Sequence, residues 1–303
     1  MFVADAHADT LYRMAFEGAA PGQCAVRAER LRAGGVGLQT FALFAGVEAS
    51  QAYGRAVRRM LELVPSLGVP VHTGALPEAP PDEPTGVLSV EGGEILEGSL
   101  DRLAALHGRA RVRMIALTWN RENEIGYPAV GGTDHKLKPF GRALILEMDR
   151  LGILVDVSHL NEAGFYDAAG RARLPIIASH SNIRTVCDAA RNLTPDQVKA
   201  IIEKEGFIGI NFYSPFLKSD GAPDMDDVIR HIDAIAELGG IDAIGFGSDF
   251  DGIDRWPEGL ESPERFPALL NRLRQRGYTG RQLEGIAGLN LWRVLKRAEA
   301  SVV

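Results

Sequence analysis

The chain has 303 residues, of which 46% are hydrophobic and 24% charged, with a formal net charge of -7. That length holds one large α/β barrel or two smaller domains, and the composition is that of a soluble globular protein. Mild acidity without a block of like charge argues against a nucleic-acid or anionic-membrane surface, and no apolar run approaches the roughly 18 residues of a bilayer span.

Two cysteines, Cys24 and Cys187, show no CxxC spacing, so neither a disulfide framework nor a thiolate metal site is expected. The N-terminus has no basic start and no unbroken apolar core. It does not read as a signal peptide, and the cytoplasm is the expected location.

Apolar runs recur along the chain. The first is Phe2 to Ala8, and the second is Gly37 to Phe44. Tyr53 to Leu67 then reads as an amphipathic helix, and Val69 to Thr73 as a short strand-like piece. Residues 77–84 (PEAPPDEP) form a surface loop, because proline removes backbone donors and fixes φ. The third run is Thr85 to Glu91 and the fourth Val112 to Trp119, followed by a long Gly-rich and charged loop over 120–138. A helix from Phe140 to Leu151 is stopped by Gly152. The fifth run is Ile153 to His159 and the sixth Pro175 to His180. Thr194 with Gln197 three residues later is a capping box opening a helix. Phe207 to Tyr213 and Ala243 to Asp249 complete the eight.

Eight such runs alternating with helices predict one eight-stranded parallel β/α barrel of TIM type over residues 1–303. Strand counting alone leaves an open doubly wound sheet as the alternative. The polar residues point to the barrel. His7, Asp9, Glu91, His159, His180 and Asp249 all fall at the C-terminal ends of their runs, where barrel enzymes gather catalytic groups. His7 and Asp9, two apart on an extended segment, share one face. Three imidazoles with several carboxylates are too many ligands for one tetrahedral zinc. They suit two metals about 3.5–4 Å apart with a shared carboxylate.

The motifs DAHAD at 5–9, SVEGGE at 89–94, PFGR at 139–142, LGILVDVSHL at 151–160 and PIIASHSN at 175–182 resemble the membrane dipeptidase (renal dipeptidase) family, peptidase family M19. ARNLT at 190–194, INFY at 210–213 and GFGSDFDG at 245–252 extend the resemblance to nearly the whole chain. It implies a zinc-dependent dipeptidase that cleaves small dipeptides with a metal-bridging hydroxide, using two zinc ions per chain. His7 and Asp9 would hold one zinc, His159 and His180 the other, and Glu91 would bridge them. Asp249 matches the carboxylate that handles the proton of the bridging water and of the leaving amine. Arg191 matches the residue that holds the substrate's terminal carboxylate, a task suited to a bidentate guanidinium. Tyr213 and Trp119 fall near the substrate. Family members are commonly homodimers, and this chain is read as a soluble form without a membrane or nucleic-acid partner.

Two departures stand out. Trp119 occupies the position after Thr118 where mammalian members carry a histidine, and Lys136-Leu137-Lys138 replaces a more usual Gly-Leu-Thr. Another barrel amidohydrolase acting on a small amide, ester or lactam is the alternative enzyme, although those usually open with His-x-His. A catalytically idle ligand-binding barrel is a third reading, opposed by the retention of all six polar residues. His72, His107 and His231 are expected at the surface, His135 near the active face as a further candidate contact, and Cys187 buried within a helical stretch. Asp251-Gly252 imitates a calcium loop whose acidic remainder is missing.

Overall fold

The computed structural model describes residues 1–46 and 53–302. Eight parallel strands close into a barrel in sequence order: β1 (Val3–Asp5), β2 (Val36–Phe44), β3 (Thr85–Glu91), β4 (Met114–Ala116), β5 (Leu154–Asp156), β6 (Ile176–Ala178), β7 (Phe207–Ile210) and β8 (Ile244–Phe246). The barrel reading holds over the open sheet, because β1 pairs with both β2 and β8. Each strand matches one apolar run, but most are shorter than the run. In β1, β5, β6 and β8 the chain leaves the ladder before His7, His159, His180 and Asp249, whereas Glu91 is the last residue of β3.

Helices Leu100–Ala110, Pro139–Leu151, Glu162–Arg171, Pro195–Glu203 and Met225–Glu237 lie between successive strands from β3 onward. The stop at Gly152 is a left-handed turn with φ 68°, and the Thr194–Gln197 capping box is formed. Tyr53–Leu63 is α-helical and its last residues to Leu67 tighten into a 3-10 turn. The Val69 to Thr73 piece contributes one bridge, Val71 to Gly86, and no strand.

Two apolar clusters account for the core. The larger lies between strands and helices. The smaller includes Ala4, Leu38, Val87, Met114, Leu154, Ile177 and Phe207, from seven successive strands, which can meet only inside the ring. Leu291, Val294 and Leu295 of the helix Asn290–Ala300 join it, so this helix plugs the N-terminal end of the barrel. Side chains alternate along a strand. Hence Val87, Ser89 and Glu91 share a face, and the line that begins in the apolar plug ends in a carboxylate at the opposite mouth.

Candidate metal centre and substrate cavity

Two buried carboxylates brace the strand ends from below. Asp5 accepts from Ser248 N–H (2.9 Å), Ser248 Oγ–H (2.6 Å) and Gln39 Nε2–H (3.1 Å), tying β1 to β8 and β2. Asp156 Oδ1 accepts from the backbone N–H of Ser158 (2.9 Å) and Ser179 (3.0 Å), tying β5 to β6. The residues just beyond these braces are His7, Asp249, His159 and His180. His159 and Asp249 sit in left-handed backbone, φ 69° and 65°. A non-glycine residue there costs on the order of 1 kcal/mol or more, and such strain collects at functional sites. Gly252 lies so near that a Cβ on it would stand 2.1 Å from Asp9 Oδ2 and 2.7 Å from Asp249 Oδ1.

All six expected polar residues converge. His7 Nε2 lies 3.3 Å from Asp9 Oδ2, 3.7 Å from Glu91 Oε2 and 3.8 Å from Asp249 Oδ1. The other oxygen of Glu91, Oε1, lies 2.9 Å from His159 Nε2 and 3.5 Å from His180 Nε2. Those two imidazole nitrogens are 2.8 Å apart. His159 Nδ1–H donates to Asn120 Oδ1 (2.8 Å), which leaves its Nε2 lone pair facing the cluster. Asn211 Nδ2–H donates to Asp249 Oδ2 at 2.9 Å.

Burial opposes charge throughout this cluster. It acts against protonation of His7, but Glu91, Asp9 and Asp249 outweigh it and lift His7 to about 10. Burial, then Arg191 and His7, hold His159 well below its usual range, and burial with His7 does the same to His180. Burial and Asp9 push Glu91 well up, and burial raises Asp249 to about 6 against the pull of His7. Three carboxyl groups thus crowd around His7 and the two neutral imidazoles of His159 and His180, and among the described residues Asp9 Oδ1, which is buried, has no hydrogen-bond partner. Such a donor set calls for positive charge and open coordination. Two overlapping groups, His7–Glu91–His180 and His7–Asp9–Asp249, have ligand atoms within 4.8 Å of one another. The residues fit divalent metal binding.

The mouth opens into a cavity of about 580 Å³, lined in part by Glu91, His159, Arg191 and Asp249. Trp119 and Tyr213, expected near the substrate, also line it. Arg191 is buried, and among the described residues its guanidinium makes two hydrogen bonds, both at 3.5 Å, to Ser181 Oγ and the His180 carbonyl, while Nε makes none. Burial lowers it to about 10, although Asp249 and Glu91 support its charge. It stands ready to donate to an anion.

Several expectations need correction. His107 and His231 are buried, not surface residues. His107 Nδ1–H donates to the Val112 carbonyl (3.2 Å). His231 accepts from Ile183 N–H (3.2 Å) and donates to the Leu217 carbonyl (3.1 Å), joining the segments after β6 and β7. Cys187 is buried but lies in a turn outside any helix. His135 is not among the cavity-lining residues; its ring packs 5.0 Å from Tyr127. Asp251, by contrast, agrees with the rejection of a calcium loop: it accepts from Thr10 Oγ1–H and the Ala25 and Val26 N–H groups, a structural role. Asp5, Asp156, Asn120 and Asn211 were not singled out by the sequence reading. The available signal was a polar residue one to three positions from a candidate site residue, His7, Trp119, His159 or Tyr213.

A closed parallel barrel with buried imidazoles and carboxylates gathered at its C-terminal mouth has the donor set of a metal-dependent barrel enzyme. The chain belongs to the membrane dipeptidase family, peptidase family M19, whose model matches residues 1–302. It is 36% identical over 219 residues to a Schizosaccharomyces pombe protein named uncharacterized dipeptidase C965.12. That match takes in 70% of this chain and 52% of the yeast protein, so it spans about half of the relative's length. Among solved structures, a family M19 metallopeptidase titled dipeptidase AC superposes with TM-score 0.89 at 27% identity, over 98% of both chains. A metallopeptidase from Rhodobacter sphaeroides, liganded with a phosphinate mimic of the dipeptide L-Ala-D-Ala, gives TM-score 0.88 at 26% identity, over 98% of this chain and 99% of that one.

Proposed function

We propose that the protein is a dinuclear zinc dipeptidase. The observation that carries this reading is the division of Glu91, one oxygen toward His7 and the other toward His159 and His180. His7 and Asp9 would hold one zinc, His159 and His180 the second, with Glu91 common to both. The metals would supply Lewis acidity and an activated water at neutral pH. The chain's own residues do the rest. Arg191 orients the substrate through its free carboxylate, for which its unpartnered Nε and weak hydrogen bonds leave capacity. Asp249, which borders both the ligand cluster and the cavity, is placed to take and return a proton. Asn211 holds Asp249 Oδ2, which leaves Oδ1 turned toward His7. The dipeptide mimic bound by the Rhodobacter relative supports the substrate class. A homodimer without membrane or nucleic-acid partners belongs to the same proposal.

Elemental analysis of zinc-loaded protein tests it directly. Wild type is expected to hold two equivalents and to hydrolyse dipeptides, and Glu91→Ala to lose metal from both positions together with activity. One equivalent or none in wild type overturns the dinuclear assignment.

A further inference from the structure

The two flanks of the cavity present different surfaces. From the metal-ligand cluster outward, the rings of His159, Trp119, Phe44, Tyr12 and Phe16 follow one another. Successive centroids are 6.4, 5.0, 5.0 and 5.3 Å apart. Trp119, Phe44 and Tyr12 all line the cavity. On the opposite flank the aromatic rings are covered by cations, with Arg191 5.7 Å from the Phe216 centroid and Arg255 5.8 Å from that of Tyr213. Among the described residues no such cation stands over Trp119 or Phe44.

The shelf is held in place by the fold. Phe44 is the last residue of β2 and only 9% exposed. Tyr12 follows Asp9 in the helix Thr10–Phe16 and meets Phe16 one turn later. Trp119 follows β4 by three residues. Arg191 follows β6 beside His180, and in strand order His159 of β5 stands between it and Trp119 of β4. A dipeptide anchored there, with its scissile bond at the cluster, is only about 7 Å long in extended form. Its N-terminal residue would then lie beyond the cluster from Arg191, toward the aromatic row that begins beside the His159 ring and lines the same cavity.

We propose that Tyr12, Phe44 and Trp119 form a shelf that reads the side chain of the substrate's N-terminal residue, selecting a large apolar or aromatic group. This inference rests on the dipeptidase reading. An aromatic side chain laid on the row exchanges water for apolar contact and ring packing, whereas a methyl group leaves most of the shelf wet. Pocket contacts of this kind separate substrates by about 10–200-fold per missing group.

The test compares Phe-Ala, Ala-Phe and Ala-Ala on the zinc-loaded protein. Wild type is expected to prefer Phe-Ala over Ala-Ala by at least about thirtyfold in kcat/KM, and to gain much less from Ala-Phe. Phe44→Ala and Trp119→Ala are each expected to cut the Phe-Ala to Ala-Ala ratio about tenfold, and the volume-sparing Phe44→Leu to cut it less. A ratio taken on one sample is insensitive to a misfolded fraction, so poor folding of a variant does not mimic the effect. A wild-type ratio near one, or a ratio unmoved in both alanine variants, overturns the shelf while leaving the dipeptidase reading intact. If none of the three peptides is cleaved, the dipeptidase reading falls and the shelf with it.

Discussion

The mouth of the barrel is built from two unlike arcs. The ends of β1, β2 and β4 bring Tyr12, Phe44 and Trp119, rings in contact with rings. The ends of β6, β7 and β8 bring Arg191, Asn211 and Asp249, linked by hydrogen bonds through the His180 carbonyl and the Asp249 carboxylate. The ligand cluster lies where the arcs meet, drawing His7 and Glu91 from one and His180 from the other. One arc is suited to discriminate among side chains. The other is suited to hold the groups that every dipeptide shares.

That division can be broken by substitutions on the polar arc, and the largest effect is expected at Asp249. Asp249→Asn keeps the shape and the Asn211 contact side but cannot shuttle a proton, so turnover is expected to fall at least about a hundredfold with most metal retained. Near-wild-type turnover, measured beside metal content, would remove Asp249 from proton transfer. Because only the polar arc is changed, the ranking of a dipeptide panel should stay as in wild type.

Arg191 sharpens the comparison from the binding side. C-terminally amidated dipeptides should be poor substrates for wild type, and Arg191→Met should treat free and amidated peptides alike. The expected loss on free peptides is on the order of tenfold to a hundredfold, in kcat as well as KM, since the anchoring group also orients the scissile bond. Equal kcat/KM for free and amidated peptides in wild type would refute the assignment.

The smallest effect on activity is expected from His231, whose contribution is to stability. Burial holds it at about 4, below its unfolded value near 6.5. Between those values the unfolded chain binds the extra proton. Its contribution is therefore complete above about pH 6.5 and is lost as the pH falls toward 4. His231→Gln should flatten this acid limb of the melting temperature, by up to about 3 kcal/mol in stability difference across the window. Parallel wild-type and variant curves from pH 7 to 4 would show that His231 does not titrate on unfolding.

The barrel and the ligand cluster were legible because both rest on patterns within single strands. A strand buried on two faces is apolar at nearly every position, so a His or Asp ending such a run stands out. The supporting layer was not legible, since its partners are distant in sequence. His231 lies in a helix and reads as a surface residue, yet its two ring nitrogens are used by Ile183 and Leu217. The stretch around Cys187 contains no glycine or proline and reads as helical. It is held as a loop because Asn192 Nδ2–H donates to the Cys187 and Phe216 carbonyls, both at 2.8 Å. The aromatic shelf was visible only at Trp119, because Phe44 and Tyr12 look like ordinary core residues until the barrel closes.

The Asp5 brace has a consequence for how the protein is assembled. Asp5 and Ser248 are 243 positions apart, among the longest-range contacts a chain of this size can make, and such contacts are slow to form. His7 and Asp9 are synthesised long before the partner that fixes them. Until β8 arrives, β1 has only its β2 neighbour and the early ligands lack the brace that Ser248 provides. Closure of the ring and completion of the metal centre are thus one event, and the centre serves as a record that the whole barrel has folded.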